Sequence, residues 1–123
     1  MSGIGIGGIG IDLVKVPRIK RLADKWGRKF LERVFTKAER DYCLSGRRQY
    51  EHLAGRFAAK EAVIKALGIK IPWKSIKVES DRNGRPFVLV ESDNEKTIFS
   101  TGDLHVSITH LEYYAIAIAV VED

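Results

Sequence analysis

Asp12 is the lone carboxylate of a largely apolar run, IGIDLVKV over residues 9–16. Burying an unpaired carboxylate is costly, so such a residue requires a cation, a cluster of donors or an exposed strand end. The plain alternative is an aspartate at the frayed edge of a strand. Glu61 offers a second carboxylate in a different setting. In the helical segment 50–67 (YEHLAGRFAAKEAVIKAL), Ala54, Ala58, Glu61 and Lys65 follow at steps of four, three and four. That spacing places them along one helix face. The two alanines let a backbone or a ligand approach closely, and they leave Glu61 beside Lys65. A solvated Glu–Lys pair would use the same spacing for only about 0.2–0.5 kcal/mol. The apolar neighbours Leu53, Phe57 and Ile64 argue against full solvation of this helix.

Two carboxylates, one on a strand and one on a helix, suit a hard cation. Magnesium takes one or two protein carboxylates and completes its octahedron with water and substrate phosphate oxygens. Lys65 could then hold a phosphate oxygen as a point charge. Arg56 and Lys60, four apart on the adjoining face, would add donors for further phosphate. A third constellation is HVSITH, residues 105–110. On a strand His105, Ser107 and Thr109 face one way, and Val106, Ile108 and His110 the other. The spacing of the two histidines is not a zinc pattern. His105 reads as a structural histidine, while His110 at the strand end is open to a polar role. Ser107 lacks the G-x-S-x-G context of a hydrolase nucleophile.

Gly5, Gly7 and Gly10 spell a literal G-x-G-x-x-G. That fingerprint works only after a strand and at the start of a helix, and here β-branched residues follow it. The single cysteine, Cys43, can form neither an internal disulfide nor a thiolate metal site. It reads as a plain helix residue in a reducing compartment.

These residues need elements to hold them. Residues 4–16 read as a buried strand whose glycines weaken or bend its start. Pro17 suits the first turn of a helix, with Ile19, Leu22, Ala23 and Trp26 as its apolar face and Gly27 as its stop. Arg18, Arg21, Lys25 and Lys29 form a parallel basic stripe. Thr36 and Glu39 make a T-x-x-E capping box that starts a second helix. The helix 50–67 is the strongest, ended by Gly68. Ser75–Glu79 and Phe87–Val90 read as a hairpin around Asn83-Gly84, and His105–Thr109 with Tyr113–Val121 as a final one. Mixed order with late antiparallel strands predicts an α+β domain spanning residues 1–123.

Composition sets the outer bounds. The 123 residues suffice for one domain, and 21 Lys and Arg against 16 Asp and Glu give a net charge of +5. Such a balance favours an acidic partner: nucleic acid, an anionic membrane, a phosphorylated cofactor or an acidic protein. With no apolar run long enough to span a bilayer and no secretory signal, a cytoplasmic protein is expected. An RNA-holding module would interleave aromatics with the basic stripe on a sheet face. Trp26 falls on the apolar face instead, so neither a nucleic acid nor a membrane is the expected partner.

Taken together, GIGIDLVKVPRI (8–19), FTKAE (35–39), LAGRFAAKEAVIKAL (53–67), NGRP (83–86) and HVSITH (105–110) closely resemble the holo-acyl-carrier-protein synthases. These are the small bacterial class of 4′-phosphopantetheinyl transferases, and the resemblance covers nearly the whole chain. It implies an antiparallel-rich sheet packed with a long central helix, and a homotrimer with active sites at its subunit interfaces. By that resemblance Asp12 and Glu61 bind magnesium with the coenzyme A pyrophosphate. Lys65 is the phosphate-contacting lysine, and Arg56, Asn83, Gly84, Thr109 and His110 line the coenzyme pocket. Arg18, Arg21 and Lys25 match the basic helix that docks an acidic acyl carrier protein. The implied reaction moves the phosphopantetheine arm onto a carrier serine for fatty acid biosynthesis. Glu61 is the favoured base, directly or through a metal-bound water, with His110 the next candidate. Two features depart from the family: Lys15 stands where many relatives carry glutamate, and the N-terminal Gly-Ile repeat has no counterpart.

Overall fold

The computed structural model describes residues 5–92, 96–99 and 102–123. Ile4, the first residue of the expected strand, lies outside them. Strand β1 (Ile6–Lys15) runs directly into helix α1 (Val16–Trp26), with Pro17 in its first turn, where the missing N–H would have no partner anyway. Gly27, at φ 57°, closes α1 by donating to the Ala23 carbonyl and redirects the chain into α2 (Arg28–Val34). Helix α2 is not among the expected elements, because a glycine after an apolar face reads as the end of helical structure. Lys29 therefore lies on α2 and does not continue the α1 stripe. Helix α3 (Lys37–Leu44) follows, with both halves of the capping box formed. Thr36 Oγ1 accepts from the Glu39 N–H at 3.2 Å, and Glu39 Oε1 accepts from the Thr36 N–H at 2.8 Å.

Helix α4 (Gln49–Leu67) is the centre of the fold and ends at Gly68, which adopts φ 71° in a left-handed cap. It has no strongly polar face, as expected of a helix covered on several sides. Strands β1, β6 (Tyr114–Glu122) and β5 (Leu104–His110) cover one side, and α1, α3 and β2 (Ile76–Ser80) contact others. Both sheets are antiparallel. One has the order β1-β6-β5, and the other is β2, β3 (Pro86–Glu91) and the short, unexpected β4 (Thr97–Phe99). The fold is the expected α+β arrangement, a long helix against antiparallel strands.

The glycines of β1 have a definite task. A Cβ on Gly8 would lie 2.0 Å from the Ala66 carbonyl oxygen, and one on Gly10 would lie 2.0 Å from that of Ala62. The strand thus rests directly on the α4 backbone, and the glycines expected to weaken or bend its start also permit this close contact. A register shift between Ile6 and Gly8 is its only irregularity. Asp12 is the next inward position along the same strand. The opposite face of this sheet carries Ile9, Ile11, Leu13, Tyr114, Ile116 and Ile118, all exposed.

Candidate active site

The contact of β1 with α4 brings Asp12 to the helical turn that bears Glu61 and Lys65. Asp12 is mid-strand, paired with Ala117 of β6, and not at a frayed edge. The Lys65 ammonium donates to Asp12 Oδ1 at 3.0 Å and to the Ile11 carbonyl at 3.0 Å. Lys65 thus reaches across to the strand, and the solvated Glu61–Lys65 pair does not form. Glu61 is half-buried and makes no hydrogen bond or ion pair among the described residues, so its carboxylate stands ready for a ligand. Among those residues no group of three or more His, Cys, Asp or Glu could hold a metal by protein ligands alone. Two carboxylates with hard oxygen donors fit a magnesium ion that keeps water and phosphate oxygens as its remaining ligands. The Lys65 ammonium already holds Asp12, so a metal there would share or displace that contact.

Glu61 also forms one wall of a groove of about 500 Å³, lined by Arg18, Leu22 and Trp26 of α1, by Phe30 and Arg33 of α2, and by Trp73. Trp26 is 53% exposed, with Lys25 over its ring at 5.1 Å. Of the expected apolar face only Ile19 is fully buried, joined in the core by Val16 at the start of α1, so that face is only partly covered. Arg18 and Trp26 border the same groove, while Arg21 and Lys25 are exposed on the helix surface.

A second cluster lies nearer the start of α4. Arg56, Gly84 and His110 meet around a cavity of about 140 Å³ with Tyr42, His52 and Ser80. The Arg56 guanidinium lies 4.5 Å from the centre of the Tyr42 ring, and one of its terminal nitrogens donates to Ser80 Oγ at 3.0 Å. Its Nε, like His52 Nδ1, is buried with no hydrogen-bond partner. Unsatisfied buried polar atoms are rare in folded proteins, and two at one cavity mark a place for a polar ligand. Gly84 reaches this cavity from the loop between β2 and β3. There Asp81 Oδ1 accepts from the Asn83 N–H at 2.8 Å and the Arg85 N–H at 2.9 Å, and Gly84 takes φ 81°. The hairpin expected at Asn83-Gly84 is present, but its turn is this longer aspartate-braced loop.

Three expected pocket residues lie elsewhere: Asn83, exposed on the β2–β3 loop and not on the cavity wall, Thr109 and Lys60. Thr109 is on the exposed face of β5, pointing away from the cavity that His110 lines, as the strand alternation requires. Lys60 is not a free phosphate donor. It is fully buried, and its ammonium is used up by Glu39 Oε1 at 2.7 Å and the carbonyls of Trp73 at 2.9 Å and Ile76 at 2.7 Å. The physical reason is its position, which faces β2 and not the cavity. His105 pairs with Glu122 at 3.1 Å, in keeping with a structural role. Burial pushes the Cys43 thiol up to about 12, so it is no nucleophile.

Against this geometry the comparisons are decisive. Residues 8–119 match the 4′-phosphopantetheinyl transferase superfamily. The chain belongs to that superfamily. It is 45% identical over 117 residues to a holo-[acyl-carrier-protein] synthase of Protochlamydia amoebophila, covering 92% of this chain and 95% of that one. A holo-(acyl-carrier-protein) synthase of Bacillus anthracis, solved in complex with CoA (3′,5′-ADP), superposes with a TM-score of 0.80 at 34% identity, covering 98% and 99% of the two chains. The corresponding Neisseria meningitidis enzyme gives a TM-score of 0.82 at 30% identity, covering 97% and 100%.

The cavity also has wall residues that no sequence motif marked, His52, Tyr42 and Ser80, with Glu51 behind them at 2.9 Å from His110. Glu51 and His52 were within reach, since YEHLAG puts them one turn before the Gly55 that faces His110 and Ile108. Tyr42 and Ser80 carry no local signal, because only the tertiary fold brings α3 and the end of β2 to Arg56.

Proposed function

We propose that this superfamily member transfers the 4′-phosphopantetheine group of coenzyme A to a serine of apo-acyl carrier protein, releasing adenosine 3′,5′-bisphosphate. It is an enzyme of the holo-[acyl-carrier-protein] synthase type and serves fatty acid biosynthesis. The observation that carries the reading is the meeting of Asp12 with the turn of α4 that bears Glu61 and Lys65. In the reaction the carrier serine Oγ attacks the phosphorus that bears pantetheine. One Oγ–P bond forms, one pyrophosphate P–O bond breaks, and the nucleotide departs with the bridging oxygen. The serine proton passes to Glu61 as base, with His110 the next candidate. Lys65 draws the phosphate oxygens toward Asp12 and Glu61 and stabilises their developing charge. A magnesium ion bound by Asp12 and Glu61 would supply further charge neutralisation to the pyrophosphate.

Arg56, Gly84, Asn83 and His110 would hold the coenzyme at the second cluster. Arg56 and Lys65 are separated by about 13 Å along the helix axis, on different sides of α4. Assembly supports their joining in one site: Ile11 and Leu13 are 60% and 58% exposed on a sheet face that also carries Thr109. An apolar surface of this kind on a small protein marks an interface. We assign it to a homotrimer, in which the Thr109 of one subunit would reach the coenzyme held by another. Arg18, Arg21 and Lys25 would dock the acidic carrier. The reduced, buried Cys43 fits a cytoplasmic setting.

The reading is tested by following nucleotide release from coenzyme A with apo-carrier present. Wild-type protein should release adenosine 3′,5′-bisphosphate only with carrier, and Asp12→Ala or Glu61→Ala should lower the rate by more than about a hundredfold. Near-normal release by either variant would overturn the metal assignment.

A further inference from the structure

Glu51 stands in the first turn of α4, where an acidic side chain commonly does no more than complement the helix N-terminus. Here its carboxylate does something more specific. It is mostly buried, and its Oε1 lies 2.9 Å from His110 Nδ1, at the far end of β5 and 59 residues away in sequence. An ionised carboxylate can only accept, so the proton between them belongs to the imidazole. A proton fixed on Nδ1 leaves Nε2, at the other side of the ring, as the atom offered to the cavity. The rest of the ring is held just as firmly. His52 meets it edge to face at 5.4 Å, and Gly55 packs alongside, where an added Cβ would be in ordinary contact with its Cδ2 at 3.9 Å. Burial, then repulsion from His110 and from Arg56, holds His52 below its usual range, so this neighbour is a neutral wall and not a competing cation.

We propose that Glu51 is a positioning residue for the transfer reaction, fixing His110 as the Nδ1–H tautomer so that Nε2 meets the coenzyme in the cavity lined by Arg56 and Gly84. The inference rests on the transferase reading and adds to it a residue with no contact to coenzyme of its own. It gives a function to a mostly buried carboxylate set beside a cavity histidine. A staple that merely ties β5 to α4 would fix the same tautomer but would leave the KM for coenzyme A unmoved.

The test is the nitrogen-15 spectrum of the His110 imidazole, recorded on the neutral limb of its titration in the full-length protein without substrate. Wild-type protein should show the proton on Nδ1. Glu51→Ala should release it to a mixture of tautomers and raise KM for coenzyme A by about tenfold, the low end of the loss seen when a metal-binding histidine loses its carboxylate partner. Glu51→Gln, whose amide oxygen can still accept from Nδ1–H, should recover most of that loss and guards against a misfolded alanine variant. A wild-type enzyme that transfers the arm yet carries its proton on Nε2 overturns the inference alone. So does a Glu51→Ala protein that is merely less stable, with tautomer and KM unchanged. Absence of transfer by the wild type overturns the proposed function, and the inference with it.

Discussion

At Lys60 the ammonium is enclosed on every side, and each of its hydrogens goes to Glu39, Trp73 or Ile76. Glu39 is equally committed, since its second oxygen accepts from the Val78 N–H at 2.7 Å while the first closes the α3 cap. One buried pair therefore ties α3, α4 and β2 together. Burial pushes the Lys60 amine below its usual range while Glu39 opposes the shift, so the charged pair depends on both partners. Lys60→Met should cost about 3–5 kcal/mol in urea denaturation, because it strands a buried carboxylate. Adding Glu39→Gln should recover part of that loss by removing the stranded charge. Equal loss in single and double variants would contradict the coupling. Residue types in the sequence were enough to single out Asp12, Glu61 and Lys65 as candidates, because a carboxylate in an apolar strand and a spaced helix face are local signals. They misassigned Lys60, because its direction depends on β2 and Trp73, which lie beyond any local window. The capping box named one role of Glu39 and concealed the other.

Among the elements, the contact of β1 with α4 sets the site. The chain reaches helix-to-strand contact through Gly8 and Gly10, whose missing side chains let carbonyls of Ala62 and Ala66 approach the strand. Asp12 is placed by the same alternation two residues further on. Gly10→Ala should force the strand off the helix and cost about 1–3 kcal/mol or more. Transfer should fall with it, as Asp12 moves from Lys65. Gly46→Ala, where a Cβ would meet nothing within 4 Å, is the control and should change stability by less than about 0.5 kcal/mol. Thermal unfolding of the two variants decides the matter, and equal stability would contradict the account of the strand. The strand, the capped helix, the long helix and both hairpins were legible because each has its own period or cap. Helix α2 was not, for a glycine that turns a chain between two helices looks the same in sequence as one that ends a helix. The glycines of β1 were read as weakness, since their benefit lies entirely on the other element.

The whole molecule carries an apolar outer sheet face and two clusters of functional side chains at different places on α4. Trimer formation would cover the first and unite the second, so the two properties should be lost together. Ile11→Glu should give a monomer by light scattering and abolish transfer, with the far-ultraviolet dichroism retained. A trimer that survives this change, or an active monomer, would contradict the interface. Sequence periodicity indicated a strand at Ile9–Leu13 but could not show that its second face lacks a cover, because that depends on where α4 lies.

The central claim is the transfer itself, and intact-mass spectrometry of apo-acyl carrier protein incubated with this protein and coenzyme A tests it most directly. The carrier should gain one phosphopantetheine group when magnesium is present, and none when the metal is chelated. An unchanged carrier mass with folded protein and magnesium supplied would contradict it.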